Sequence, residues 1–302
     1  MTAATPELDV HHPTLSADAQ AAAAAMVADL DAQAGRTLTP CGAGSMVWRH
    51  WGPADGPPVI LVHGGAGAWS HWIRNIGPLL EQGYSVWAPD VPGLGDSDMP
   101  EALTMDALCG TVERGADQVI PQGPVDVIGF SFGGPVATSL AKHLGSRLRN
   151  LVLAASRFVA GYQRIYPELI TWKDIADPQQ RLAAHRVNLG RIMMAREANI
   201  DALAVYLQAT NAARSRFFGP KLNPGGRLLD CLPLVQARGR VTGISGVEDQ
   251  GATGIIDKQE AGLQSMQPGA KFFALADAGH WVQYEAAERF NRLMLDALKE
   301  GG

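Results

Sequence analysis

The chain is short of cysteine, of positive charge and of long apolar runs, and each shortage removes a class of function. Three cysteines, Cys41, Cys109 and Cys231, lie far apart among 302 residues. No Cys-x-x-Cys pair and no Cys/His ligand spacing is present, so neither a disulfide scaffold nor a metal site is expected. Three reduced, buried thiols in a cytoplasmic protein fit this usage. Lys and Arg number 25 against 30 Asp and Glu, a net charge of −5. Such a surface attracts neither nucleic acid nor anionic lipid. No stretch approaches the roughly 20 apolar residues that span a bilayer. The Ala-rich run at 21–25 lacks the positive start of an export signal: the first basic residue is Arg36, and Asp9, Asp18, Asp29 and Asp31 bracket the run. The expectation is a soluble protein with a small-molecule substrate and no nucleic-acid or membrane partner; a homodimer is compatible with it.

What the chain does contain is a strand–helix rhythm. Apolar residues make up 46% of it, enough at this length for a sizeable core in one large domain or a domain with an insertion. Residues 16–34 carry Ala, Met and Leu between acidic breaks and predict a helix behind a loose arm at 1–14, an arm-and-helix segment over 1–35. Short alternating stretches between Arg36 and Trp51 predict two antiparallel strands. "VILV" (59–62), "YSVWAPD" (84–90), "VDVIGF" (125–130), "LRNLVLAA" (148–155), "RVTGIS" (240–245) and "AKFFALA" (270–276) read as further strands, with helical stretches between most of them. This spacing predicts an α/β fold with a mostly parallel, twisted sheet and helices on both faces. The rhythm stops between Phe158 and Leu229. Helical periodicity at 178–194 and 199–213, with a loop at 219–227, predicts a helical lid (158–229) inserted into a core of 36–157 and 230–302.

The chemistry gathers at strand ends. Gly129-Phe130-Ser131-Phe132-Gly133 matches the G-x-S-x-G nucleophile elbow, with Ser131 at the apex of a turn between a buried strand and an Ala-rich helix. A serine needs a base within hydrogen-bond reach. Of eight histidines, only His280 follows the final strand in a Gly-His turn, and open α/β sheets do their chemistry at the carboxyl ends of strands. A carboxylate should fix the imidazole; "GISGVEDQG" offers Asp249 first and Glu248 second, with Asp257 as an outside candidate. For the oxyanion, the backbone N–H groups of Phe132 and of Gly65, in His63-Gly64-Gly65-Ala66-Gly67, are the candidate donors. Gly64 and Trp281 are candidate substrate contacts. Met193, with Met194, Leu203, Tyr206 and Leu207, has helix spacing suited to an apolar roof, or to ordinary core packing. His63 and Asp90 read as scaffold, Asp90 bonding the amides of its turn. No nucleotide loop or metal motif appears and no cofactor is expected.

On these residues the chain resembles the α/β-hydrolase-fold enzymes over roughly 45–300. "VHGGAGAWSHW", "APDVPGLGDSD", "GFSFGG", "SGVED" and "GHWVQYEAAERFNRLMLDAL" fall in the family's order. Gly279-His280-Trp281, followed by Gln283, Glu285, Phe290 and Asn291, is similar to the carbon–carbon bond hydrolases that cleave ring-fission products of aromatic catabolism. That resemblance implies a lid arginine holding a substrate carboxylate, with Arg186 the best match and Arg191 second. The chain departs from the subfamily in having "GGAGAW" where a Ser-Gly-Pro-Gly type loop is usual, and no proline in "EDQGATG". Three readings stay open: cleavage of a carbon–carbon bond beside a carbonyl, cleavage of an ester, lactone or amide, and a ligand-binding protein that has kept the pocket. An Asp-nucleophile enzyme would need an acid at 131, which is absent.

Overall fold

The computed structural model describes residues 8–161, 167–217, 219–222, 224–252 and 254–299. β1 (Gly35–Cys41) and β2 (Gly44–Trp51) pair antiparallel across a turn in which Gly42 takes φ +54°, left-handed backbone that glycine adopts without penalty. β3 (Pro58–Val62), β4 (Ser85–Pro89), β5 (Val125–Phe130), β6 (Leu148–Ala154), β7 (Val241–Gly246) and β8 (Lys271–Leu275) are mutually parallel. They form one sheet in the order β1-β2-β4-β3-β5-β6-β7-β8. The chain runs outward from β3 to β4, then returns past β3 to β5. The order thus reverses at β3 and β5, whose carboxyl ends border the crevice where ligands bind in open sheets.

Alternate side chains on each strand feed two cores. Val59, Leu61, Ile128, Phe130, Val152 and Ala154 pack to one side, with Phe290 and Met294. Ile60, Val62, Val125, Val127, Leu151 and Leu153 pack to the other, with Val136, Leu140 and Leu263. Burial on both faces is why these strands read as continuous apolar runs. The helices are α1 (Ala17–Ala32), α2 (Ile76–Glu81), α3 (Met105–Val119), α4 (Gly133–Leu144), α5 (Pro178–Ile192), α6 (Ala202–Ala213), α7 (Pro224–Cys231), α8 (Ile256–Met266), α9 (Val282–Glu285) and α10 (Ala287–Lys299). Side-chain caps start several of them. Ser16 accepts the Ala19 N–H, Thr104 that of Ala107, Asp177 that of Gln180 and Asp201 that of Ala204.

Among the described residues no strand lies between β6 and β7; α5, α6 and α7 occupy that interval. Two local expectations change. The stretch 219–227 is not a plain loop: Pro224 opens α7, which buries Leu228 and Cys231 and packs on α4. Pro suits the first position of a helix, and burial of the apolar face outweighs the glycines that follow. Residues 8–14, expected loose, lie against α5 and α6. Leu8 and Val10 pack on the core. Gln179 Nε2 donates to the carbonyls of Val10 and Leu15, and Gln20 Nε2 to those of Thr14 and Ala202. The cysteines Cys41, Cys109 and Cys231 are buried free thiols, and burial pushes Cys109 up to about 12. Among the described residues no helix is long and apolar enough to cross a membrane.

Candidate active site

The turn from β5 into α4 carries Ser131 at φ +51°, a left-handed conformation that costs an L-residue about 1–2 kcal/mol. Its neighbours explain the glycines. A Cβ at 129 would lie 2.5 Å from the Ala137 methyl and 2.6 Å from the Gly133 carbonyl oxygen. One at 133 would lie 2.3 and 2.4 Å from the carbonyl oxygens of Val62 and His63. Only glycine lets β3, β5 and α4 close around the serine. The Ser131 N–H donates to the Ala154 carbonyl (2.9 Å), which fastens the elbow to the end of β6.

His280 reaches the same point from the loop after β8. Its Nε2 is 2.7 Å from Ser131 Oγ and its Nδ1 is 2.6 Å from Asp249 Oδ2. His280 and Asp249 are both buried. With Nδ1–H donated to the carboxylate, Nε2 is left to accept the serine proton. Asp249 Oδ1 accepts the Gly251 N–H (2.8 Å), which orients the carboxylate. Glu248, the neighbouring candidate, turns outward to Arg196 (2.7 Å), and Asp257 is exposed in the first turn of α8.

The two residues expected to supply N–H groups to an oxyanion, Phe132 and Gly65, are neighbours in the fold. Phe132 is the N-cap of α4, whose N-terminal end carries the positive pole of the helix dipole. Gly65 lies beside it, since a Cβ built at 65 would sit 3.4 Å from the Phe132 Cβ. Gly64, by contrast, is committed to the scaffold. Its N–H donates to His71 Nδ1 (3.3 Å) and its carbonyl accepts from His63 Nδ1 (2.8 Å). A side chain at 64 would strike the Phe130 ring at 2.8 Å. His63 Nε2 in turn accepts the Val91 N–H (2.9 Å), which leaves Nδ1 as the protonated nitrogen. Two buried imidazoles therefore hold both polar backbone groups of Gly64. Burial lowers the pKa of both, and in His71 His63 and His280 add to the shift.

Asp90 sits among donors rather than at the hydroxyl. It accepts the N–H groups of Trp69 (2.8 Å) and Asp96 (3.0 Å) and pairs with Arg49 at 2.9 Å. Arg49 also bonds Asp31 (2.5 Å) and Asp96 (2.5 Å). Burial acts against the Arg49 charge, and Asp90, Asp31 and Asp96 together outweigh it and raise the pKa.

The match to the alpha/beta hydrolase family model covers residues 59–293. The chain belongs to the alpha/beta hydrolase family. Two relatives are 28% identical to this alpha/beta hydrolase, each over 82% of the chain and 89% of its own length. One is the 2-hydroxy-6-oxononadienedioate/2-hydroxy-6-oxononatrienedioate hydrolase of Comamonas testosteroni. The other is the 2-hydroxy-6-oxo-6-phenylhexa-2,4-dienoate hydrolase of Burkholderia cepacia. Among solved structures, the meta-cleavage product hydrolase from Pseudomonas fluorescens IP01 superposes with a TM-score of 0.66 at 22% identity. That match covers 89% of this chain and 98% of the other, a likeness of fold.

Within this alpha/beta hydrolase the remaining expected contacts divide. Trp281 is wholly buried. Its Nε1 donates to the His71 carbonyl (3.2 Å) and its ring stacks on Tyr284 at 4.3 Å, which packs it into the scaffold beside His280. The expectation for Arg186 also changes, because its guanidinium is engaged by Glu197 (2.9 Å) and by His12 Nε2 (2.9 Å) on the N-terminal arm. Arg191 donates to the Glu168 carbonyl (2.6 Å). Met193 gives its carbonyl to the Trp281 N–H (2.8 Å) beside His280. Met194, Leu203 and Leu207 are buried in the core, with Met193 and Tyr206 packed partly buried against it. Three residues were not foreseen. His71 holds the Gly64 N–H, and the Phe217 ring packs tilted by 57° against Phe132, centroids 5.9 Å apart. Glu285, noted only as part of a motif, binds both the lid and the loop that carries His280. Among the described residues no group of three or more His, Cys, Asp and Glu side chains could hold a metal ion.

Proposed function

We propose that this alpha/beta hydrolase cleaves a carbon–carbon bond beside a carbonyl in a small conjugated keto acid, using Ser131 as nucleophile, His280 as general base and acid, and Asp249 as the imidazole's partner. The observation that carries the reading is the continuous chain Asp249 Oδ2–His280–Ser131 Oγ, at 2.6 and 2.7 Å, in a relative of two dienoate hydrolases. His280 Nε2 takes the Ser131 proton as Oγ bonds to the carbonyl carbon. The carbonyl oxygen becomes an alkoxide between the N–H groups of Gly65 and Phe132. Fixed donors at a developing oxyanion are worth about 3–4 kcal/mol each. When the carbonyl re-forms, the carbon–carbon bond of the keto tautomer, in which the leaving carbon is saturated, breaks and its electron pair moves into the adjacent enone. The departing fragment receives the proton from His280. A water molecule, deprotonated by His280, then attacks the acyl-serine and releases the acid and free Ser131.

A second reading, ester or lactone cleavage, is favoured by one observation: the Arg186 guanidinium is already paired with Glu197 and His12, and an ester needs neither a carboxylate clamp nor an electron sink. One experiment separates the two. Purified protein is offered 2-hydroxy-6-oxohexa-2,4-dienoates and, in parallel, aryl esters and enol lactones, with Ser131→Ala as control. Loss of the dienoate chromophore, with stoichiometric acid release that vanishes in Ser131→Ala, is the expected result. Turnover confined to esters or lactones overturns the carbon–carbon reading, and turnover of nothing, without labelling of Ser131 by a fluorophosphonate, overturns the enzyme reading.

A further inference from the structure

Glu285 ends the single-turn helix that follows His280, and its carboxylate gathers donors from two distant segments. It accepts the N–H of Gly279 at 2.7 Å, of Ala195 at 3.0 and 2.9 Å to its two oxygens, and of Arg196 at 2.8 Å. Asn199 Nδ2 adds a further bond at 3.1 Å. Gly279 immediately precedes His280, whereas 195–199 form the turn between α5 and α6 in the lid. The two segments meet backbone to backbone. A Cβ at 279 would lie 2.7 Å from the Ala195 nitrogen and 3.0 Å from the Met193 carbonyl oxygen. On the far side of His280, the Trp281 N–H donates to the Met193 carbonyl at 2.8 Å. The lid turn therefore holds the residues on both sides of the imidazole. Through Arg196 it also holds Glu248, next to Asp249, and Asp277.

We propose that Glu285 is a positioning residue that couples the seat of the lid turn 193–199 to the place of the His280 imidazole. The inference rests on the reading of His280 as the general base. Its physical basis is that a carboxylate accepts from every direction. Bonds from N–H groups to an ionised acceptor are about twice as strong as neutral ones. The isosteric amide has one acceptor oxygen fewer and turns an NH2 donor toward N–H groups that need acceptors. Gly279 then moves, and with it the ring that must stay at 2.7 Å from Ser131 Oγ. Misplacement of about 1 Å near the chemistry costs on the order of 100-fold in rate. The Asp249 contact also favours the charged imidazole, so loosening it moves the acidic limb of the pH profile to lower pH.

The test uses the full chain and reads the second-order rate of fluorophosphonate labelling at Ser131 from pH 5 to 9, beside kcat and KM on whichever substrate is turned over. Wild-type protein must label and Ser131→Ala must not; failure of that control overturns the functional reading itself. In Glu285→Gln we expect labelling slower by on the order of 10- to 100-fold, an acidic limb at lower pH, and a fall in kcat that exceeds any change in KM. Arg196→Ala, at an exposed site, should show a smaller change in the same direction. A Glu285→Gln protein that melts earlier but labels at the wild-type rate with the wild-type profile overturns the proposal. If Glu285→Gln does not fold, Arg196→Ala and Asn199→Ala decide: wild-type rates and profiles in both overturn it.

Discussion

Replacing Arg49 by methionine should destabilise the protein by about 3 kcal/mol, the lower end of the roughly 3–5 kcal/mol seen when one partner of a buried ion pair is removed. The Arg49 side chain is 1% exposed and so is that of Asp90, its partner at 2.9 Å. Methionine fills much of the volume but leaves the Asp90 carboxylate charged and out of water. Two of its bonds survive, from the N–H groups of Trp69 and Asp96, which is why the cost stays near the lower bound. Asp31 and Asp96, at 24% and 32% exposure, recover solvation when the guanidinium goes and add little. In a domain of this size each kcal/mol moves Tm by about 2–4 °C, so Arg49→Met should melt about 6–12 °C lower. The paired change Arg49→Met/Asp90→Asn removes the stranded charge and should recover part of that loss. Calorimetry and urea titration of the three proteins are the assay. An Arg49→Met protein within a degree of wild type, or a double variant less stable than Arg49→Met, would refute the reasoning.

Ser131→Gly should be more stable than Ser131→Ala by about 1 kcal/mol, because both delete the hydroxyl but only glycine relieves the strain at φ +51°; equal urea midpoints would contradict a strained elbow. Acid should weaken the fold through its buried histidines. Burial lowers the pKa of His63 and His71, and burial followed by the Arg181 charge takes His185 down to about 4. Such groups stay neutral when folded and charge near pH 6.5 when unfolded. Their contribution is intact above about pH 6.5 and is lost as pH falls below it, by up to about 1.4 kcal/mol per pH unit each. Tm measured at pH 7.5 and 5.5 checks this, and a His185→Leu protein with an unchanged slope would exclude His185 from it.

The central strands were legible because burial on both faces leaves a short run of apolar residues bounded by turn residues. The elbow was legible because its glycines answer to a local steric need that any reader of the turn can state. Asp249 and Glu248 could not be separated by spacing alone: adjacent residues in one turn face opposite ways, and the neighbours that decide, His280 and Arg196, come from elsewhere in the fold. The direction of Arg186 was hidden for the same reason. A residue's position on a lid helix does not say which side it presents, and here His12, 174 positions away, takes its guanidinium. Helix α7 was hidden by Pro-Gly-Gly, whose local preference for a turn yields to the burial of Leu228 and Cys231. His71 carried no signal at all, since its part depends on which ring nitrogen accepts a peptide N–H.

Part of the anchorage of α5, α6 and the turn between them is to their main chain. The amide of Gln20 takes the Ala202 carbonyl, the Trp281 N–H takes that of Met193, and the N–H groups of Ala195 and Arg196 go to one acid. Peptide groups are the same whatever residue carries them, so substitutions in this segment leave those main-chain moorings in place. Selection can then change exposed side chains of this segment without loosening the bonds that run to the residues beside His280.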